Sequence, residues 1–436
     1  MTEPAVPRRD HIYMVLWGLV LLSLVLPENL PALAVWGRHT LFVPLAVIAL
    51  ALGLLRMEGC SLHVWSSRLG GVYLVAGLAF VWIVVAAWMH RGAVPPVAWG
   101  LVAADAVRVA FVGAGLESLR RLEDPVPRIM ALFVPLVVLF VAIPALLQLA
   151  AFGATARRVV SLHVAFTRVF TGIGDPNFTS IVLVAALGGA LGLGLTLRHP
   201  GLRWLASLGA AVLVAALART VSLGGLAGFL ALLLILVVGI RGLGFEPRVR
   251  RHILTVLVLL VVLAGVLSGG FFWTRIRSEW ARMVTTPMDF GDYRGALLVG
   301  GVRMLLAHPW AGVGPGRVAA EMHRFIPRDV RLVHTRLTCH DFLVGLGDES
   351  GFGPMLAVAG LLAMLGVGYL RRILPLLRRS GERHDPWGMV MAAILGATVL
   401  QALALPAQRD PFLWFVVILA AADLVTPTSG SRSPVR

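Results

Sequence analysis

The side chains able to do chemistry in this 436-residue chain are arginines and histidines gathered in two stretches between apolar runs. The first, 153–177, holds Arg157, Arg158 and Arg168. The second, 273–349, holds Arg275, Arg277, Arg282, Arg294, Arg303, Arg317, Arg324, Arg328, Arg331 and Arg336, together with His308, His323, His334 and His340. Arg219 stands apart, at a helix end between two apolar runs. A guanidinium is planar, permanently charged and able to grip two oxygens of one anion. As a set these arginines point to an anionic ligand. Glu279, Asp289, Asp292, Glu321 and Asp329 lie among them, so for any single arginine a solvated surface is the alternative. Histidine is the usual general base near neutral pH. His340 lies a short way before Asp348–Gly353, where the next apolar run begins, which puts it at a membrane surface, whereas the other three histidines read as structural or solvated. There is no Asp-x-Asp and no histidine pair at i, i+4, so neither a metal nor any other cofactor is expected.

The elements that must position these groups follow from composition. The chain is 58% hydrophobic and 14% charged, with mean hydropathy +0.87. Soluble proteins are about 45–50% apolar and about 25% charged. This excludes a soluble enzyme, a disordered chain and a secreted disulfide scaffold. All 38 Lys+Arg residues are arginine, giving a net charge of +16. They are spread between apolar runs, with no soluble basic domain, so nucleic-acid binding is not expected. A membrane helix needs about 20 apolar residues. Read in order, the spans are Ile12–Leu26, Thr40–Leu55, Val72–Met89, Val97–Leu116, Ile129–Phe152, Phe178–Leu197, Trp204–Ala218, Leu223–Ile240, Ile253–Phe272, Phe352–Leu370, Gly388–Leu405 and Phe412–Val425. The expected fold is therefore an all-α polytopic membrane protein of about twelve transmembrane helices. Arginine is rich in alternate short loops, which places both termini in the cytoplasm. The layout reads as 1–272, nine helices with short loops; 273–350, a large outer loop; 351–425, three more helices; and 426–436, a disordered tail. Cys60 and Cys339 fall on opposite sides, so no disulfide is expected. Inside the spans ionisable groups are few: Asp105 and Arg108 share a helix face, and Asp423 sits near the inner end of the last span. A proton-coupled transporter would bury more carboxylates.

The outer loop reads Gly291-Asp-Tyr-Arg294-Gly, a helix-like run to Leu306, then His308-Pro-Trp-Ala-Gly-Val-Gly-Pro-Gly316. The glycines and prolines mark a tight turn that backbone can approach closely. Cys339-His340-Asp341-Phe342-Leu343 and Asp348-Glu349-Ser-Gly351-Phe-Gly353 follow. With Gly174-Asp-Pro-Asn177 upstream, this order resembles the O-antigen ligase/polymerase family of membrane glycosyltransferases, over the chain from about Gly153 to its end. Two positions depart from the family pattern: Asp341, where the family has Asn or Ser, and Ala218-Arg219-Thr220-Val221-Ser222, where it often has Ser-Arg-Gly.

The resemblance implies a GT-C-like enzyme of the bacterial inner membrane with its site on the periplasmic face. The donor would be O-antigen glycan on undecaprenyl diphosphate, and the acceptor a hydroxyl of the lipid A–core oligosaccharide, both met among membrane lipids. It implies a metal-independent, inverting transfer. Arg219 and Arg294 would hold the diphosphate, with Arg168 as a third cation. His340 would take the acceptor proton, and Asn177, Arg317 and Glu349 would bind substrate. An O-antigen polymerase or a protein O-oligosaccharyltransferase would use the same chemistry on another acceptor. A lipid-linked glycan transporter or flippase is the reading from a different class.

Overall fold

The computed structural model describes residues 8–25, 68–92, 102, 105, 111–119, 122, 124–151, 158–161, 164–167, 176–242, 247–285, 293–326, 339, 341–378, 386–405 and 410–425. These are almost wholly helical. In chain order the helices are α1 (Arg8–Val25), α2 (Arg68–Met89), α3 (Pro125–Val137) and α4 (Ile143–Ala151). Then come α5 (Pro176–Thr196), α6 (Pro200–Thr220), α7 (Leu223–Gly242), α8 (Pro247–Thr285) and α9 (Tyr293–Ala307). The chain ends with α10 (Val318–Glu321), α11 (Phe342–Ser350), α12 (Phe352–Arg378), α13 (Pro386–Ala402) and α14 (Pro411–Val425). Among the described residues the only strands are an antiparallel hairpin between β1 (Arg158–Ser161) and β2 (Val164–Thr167), with Val159 opposite Phe166. Its β-branched valines suit a strand better than a helix.

Among the described residues six helical segments are long and apolar enough to cross a membrane: Pro125–Leu147, Pro176–Thr196, Pro200–Thr220, Leu223–Ile240, Arg250–Leu267 and Phe352–Pro375. Shorter apolar helices include Ile12–Leu22, Pro386–Ala402 and Phe412–Val425. This is the build of a multi-pass membrane protein. The expected span Thr40–Leu55 and most of Val97–Leu116, with Arg108, lie outside the described residues.

Helix starts have a simple local cause. Pro125, Pro176, Pro200, Pro247, Pro386 and Pro411 each open a helix, because proline's missing N–H is not needed in the first turn. Proline also explains the join of α3 and α4. Pro144 cannot donate to the turn before it, and the chain passes through a π-helical turn, Val138–Ala142, in which Ile143 N–H bonds Val138 O.

α5 is the hub. Of its apolar window 83% is buried, against 17% for α8. Gly188 and Gly192 let it approach α13 closely: a Cβ at Gly188 would lie 2.5 Å from Ile394, and one at Gly192 2.7 Å from Trp387. Small residues are how membrane helices pack where water supplies no drive. Phe133, Phe412 and Phe415 form an aromatic knot across α3 and α14. At the other end, Asp423 is paired: Arg372 Nη1 lies 3.0 Å from its carboxylate and Tyr369 donates to it at 3.1 Å.

Two features differ from the sequence expectation. α8 does not stop at Phe272 but runs on to Thr285, since a helix leaving the apolar layer loses nothing by continuing with arginines in water. The loop also has its own small core: Ala296, Leu297, Met304, Val313, Val318, Met322, Ile326 and Cys339, apart from the main bundle.

Candidate functional site

Chain direction gathers the site at one end of the bundle: α5, α7 and α12 begin there, and α2, α6 and α13 end there. Arg219 occupies the last turn of α6 and is half-buried. The turn that follows is unusual. Val221 adopts φ 48°, ψ 36°, the left-handed region, which is strained for a β-branched residue. Thr220 Oγ1 accepts from Ser222 N–H (3.3 Å) and donates to Leu217 O (2.8 Å), bracing the turn.

A buried polar seam ties that turn to its neighbours. Ser222 Oγ donates to Asn177 Oδ1 at 2.9 Å, joining the α6–α7 turn to the first turn of α5. Gly225 N–H donates to Ser222 Oγ at 3.1 Å. Ser180 Oγ lies within reach of three acceptors: Asn177 O (2.7 Å), Gln401 Oε1 (3.1 Å) and Ser222 Oγ (3.3 Å). Gln401 Nε2 in turn donates to Ala397 O at 3.2 Å. Gly225 and Gly228 make room for it, since a Cβ at the first would sit 2.6 Å from Ser180 and one at the second would strike Gln401. Asn177 and the Arg219 turn are thus brought together. Ser180 and Gln401 join the seam without belonging to any of the sequence motifs. The available signal was a lone glutamine in an apolar helix.

The second part is a glycine clasp. The stretch 309–316 folds over the end of α11. Val313 N–H donates to Asp348 O (2.8 Å), Gly314 N–H to Glu349 O (3.2 Å), and Phe352 N–H back to Pro309 O (2.7 Å). The first two satisfy carbonyls at the end of α11, and the third satisfies a first-turn N–H of α12. The approach needs glycine: Gly312 and Gly351 have φ 60° and 83°, and a Cβ at Gly312 would sit 2.5 Å from Asp348 O. The end of α2 holds the outer side of the clasp. Trp82 Nε1 donates to Trp310 O (2.9 Å), and His90 Nε2 lies 3.0 Å from Gly312 O.

Beneath the clasp lie two acids. Glu349 is buried, in the last turn of α11. Asp348 is 0% exposed, and among the described residues neither of its carboxyl oxygens has a hydrogen-bond partner. Burial, then the charges of Glu349 and Asp341, push its pKa up to about 8. Burial and Asp348 raise the neighbouring Cys339 thiol to about 12, so Cys339 is no nucleophile. Gly301 lets α9 come against both: a Cβ there would lie 2.8 Å from Asp348 Oδ2 and 3.0 Å from Cys339 Sγ.

Asp341 has a clear local task. It caps α11, its carboxylate accepting from Leu343 and Val344 N–H at 2.9 Å each. Burial raises its pKa against the lowering effect of those two bonds. Asn, Ser and Asp all serve as N-caps, so the departure at this position leaves the local geometry intact.

The other expected site residues fall as follows. Arg294 stands in the first turn of α9, with its side chain outside the described residues. Arg168 and His340 lie outside the described residues. Arg317 is engaged with Glu321 at 2.8 Å, and Arg324 shares the same carboxylate at 2.6 Å, which gives Arg317 a bracing partner. Among the described residues no group of three His, Cys, Asp or Glu is placed to hold a metal. The chain matches no protein-family model, and no curated protein matches it.

Proposed function

We propose that the chain is a multi-pass glycosyltransferase of the bacterial inner membrane that moves O-antigen glycan from undecaprenyl diphosphate to a hydroxyl of lipid A–core. Twelve spans, cytoplasmic termini and a periplasmic site belong to the same proposal. The observation that carries it is the bond, at one end of an apolar bundle, between Ser222 on the strained turn after Arg219 and Asn177, with a glycine clasp over Glu349 at the same end (the order of motifs on which the resemblance to the O-antigen ligase/polymerase family rests).

The chemistry has two demands. A diphosphate leaving group gains negative charge as the glycosidic bond breaks. Arg219 and Arg294 answer that, with Arg168 as a third cation, because preorganised charge aimed at a developing anion is worth roughly 10²–10³ in rate. A sugar hydroxyl is a poor nucleophile. His340 takes its proton as the oxygen attacks the anomeric carbon, and one displacement inverts that centre. The strain at Val221 fits a turn whose arginine is held in place by its surroundings. Asn177 sets the seam, Glu349 braces the clasp, and Arg317 reaches substrate only by leaving Glu321.

His340→Ala, once shown to insert in the membrane, is expected to lose most transfer; normal turnover would remove the base role. The lipopolysaccharide of a deletion strain separates acceptors. Loss of all long-chain bands supports the ligase, while core plus a single repeat would make the chain a polymerase. Transfer that disappears on thorough chelation would overturn metal independence.

A further inference from the structure

The opposite end of α8 offers a second kind of site. A groove of about 470 Å³ runs along it, lined among the described residues by Arg250, Arg251, Leu254, Thr255, Val258 and Leu259. Both arginines are exposed, and among the described residues neither has a carboxylate partner. Leu254 lies one helical turn beyond Arg250 and Val258 two turns, about 6 and 12 Å deeper along the axis. That direction leads into the apolar window Arg250–Leu267. Charge and hydrocarbon are therefore separated along one axis, at the scale of a headgroup and the start of an acyl chain.

A ring pair marks the depth. Trp204 of α6 meets His252 edge-on, with centroids 5.3 Å apart, and Trp204 is 65% exposed. Tryptophan favours the boundary between headgroups and hydrocarbon. The arginines beside His252 then stand at phosphate level.

We propose that this groove is a binding site for an anionic phospholipid, its phosphate held between Arg250 and Arg251 and one acyl chain laid along Leu254, Val258 and Leu259. A zwitterionic lipid would bring a second cation to a site that holds no acid among the described residues. A soluble anion would leave the apolar walls uncovered. The proposal rests on the membrane reading of α8 but not on the glycosyltransferase reading, and it is independent of which leaflet the site faces.

The test is mass spectrometry of lipid retained by the full-length protein purified from mixed phosphatidylglycerol and phosphatidylethanolamine. Arginine near a membrane surface attracts anionic lipid strongly enough for about a tenfold preference for phosphatidylglycerol. Arg250→Gln with Arg251→Gln abolishes that preference. Thr255→Trp fills the groove, leaves both charges and lowers retention as well, which guards against a misfolded double variant. Arg371→Gln, at an exposed position on α12, leaves it unchanged. Equal retention of the two lipids, an unaffected double variant, an equal loss in Arg371→Gln, or preferential retention of an added polyprenyl phosphate would each overturn the site. Alkaline carbonate extraction keeps the premises apart. Release of the protein would sink the membrane reading, whereas retention without lipid preference sinks this proposal alone.

Discussion

Two groups of polar side chains are buried at the same end of the bundle, and they are buried differently. In the seam, Asn177, Ser180, Ser222 and Gln401 find partners in one another across two helices and a turn. Under the clasp, Asp348 is more deeply buried than any of them, yet among the described residues its carboxyl has no partner. A satisfied network in a low dielectric is stiff, and a half-satisfied one is costly. The seam braces the turn that follows Arg219. The clasp is held by backbone bonds on its inner side and by Trp82 and His90 on its outer side, with an acid beneath it whose pKa is pushed up to about 8.

The largest expected effect breaks the clasp. Gly312→Ala forces a Cβ against the Asp348 carbonyl at a positive φ, and is expected to destabilise by about 3 kcal/mol or more. Thermal unfolding in detergent measures it; an unchanged melting temperature would mean the close approach is absent. Next comes the seam. Ser222→Ala removes the hydroxyl that bonds both Asn177 Oδ1 and Gly225 N–H, at about 1–3 kcal/mol. Transfer should fall with it, and a Thr at 222 should restore part of both.

Asp348 behaves in the opposite sense. Its folded pKa of about 8 lies above the ordinary carboxylate value of 3.8, so the folded state holds a proton that the unfolded chain has lost. The stabilisation is complete below about pH 4, declines as pH rises, and is gone above about pH 8. Asp348→Asn should flatten that decline and leave the variant the more stable at pH 9. Identical pH profiles would show that the carboxyl is ionised or paired. Smallest is Val221→Gly. Relief of the left-handed backbone, about 1–2 kcal/mol, is set against loss of a buried side chain worth about 1.5–3 kcal/mol. The melting temperature should move little, and a large shift either way would mean that one of the two effects is absent.

Much of the scaffold was legible because it is local. Apolar runs located the helices, and the prolines at 125, 176, 200, 247, 386 and 411 mark where they begin. The run from Arg294 to Leu306 is a helix within α9 (Tyr293–Ala307), and the glycines of 309–316 make the close turn their spacing suggests. What escaped is pairwise. Ser180 and Gln401 meet across 221 positions of chain, and nothing in either helix announces the other. A charge within an apolar span is conspicuous, whereas Ser180, Ser222 and Gln401 are neutral side chains that stand out little. The hairpin at 158–167 is two four-residue strands in a loop whose conspicuous residues are its arginines. The burial of Asp348 depends on Gly301 of another helix, which composition does not register.

In the proposed reaction, Arg219, on the turn that the seam braces, grips a lipid diphosphate during glycan transfer. The most direct test is transfer by purified protein in vesicles, with undecaprenyl-diphosphate-linked glycan as donor and lipid A–core as acceptor, comparing wild type with Arg219→Lys. An ammonium cannot fork onto two oxygens, so the account predicts product from the wild type and a rate about 10²-fold lower from the variant, with folding unchanged. Absence of transfer by the wild type with every acceptor supplied, or full activity in Arg219→Lys, would contradict it.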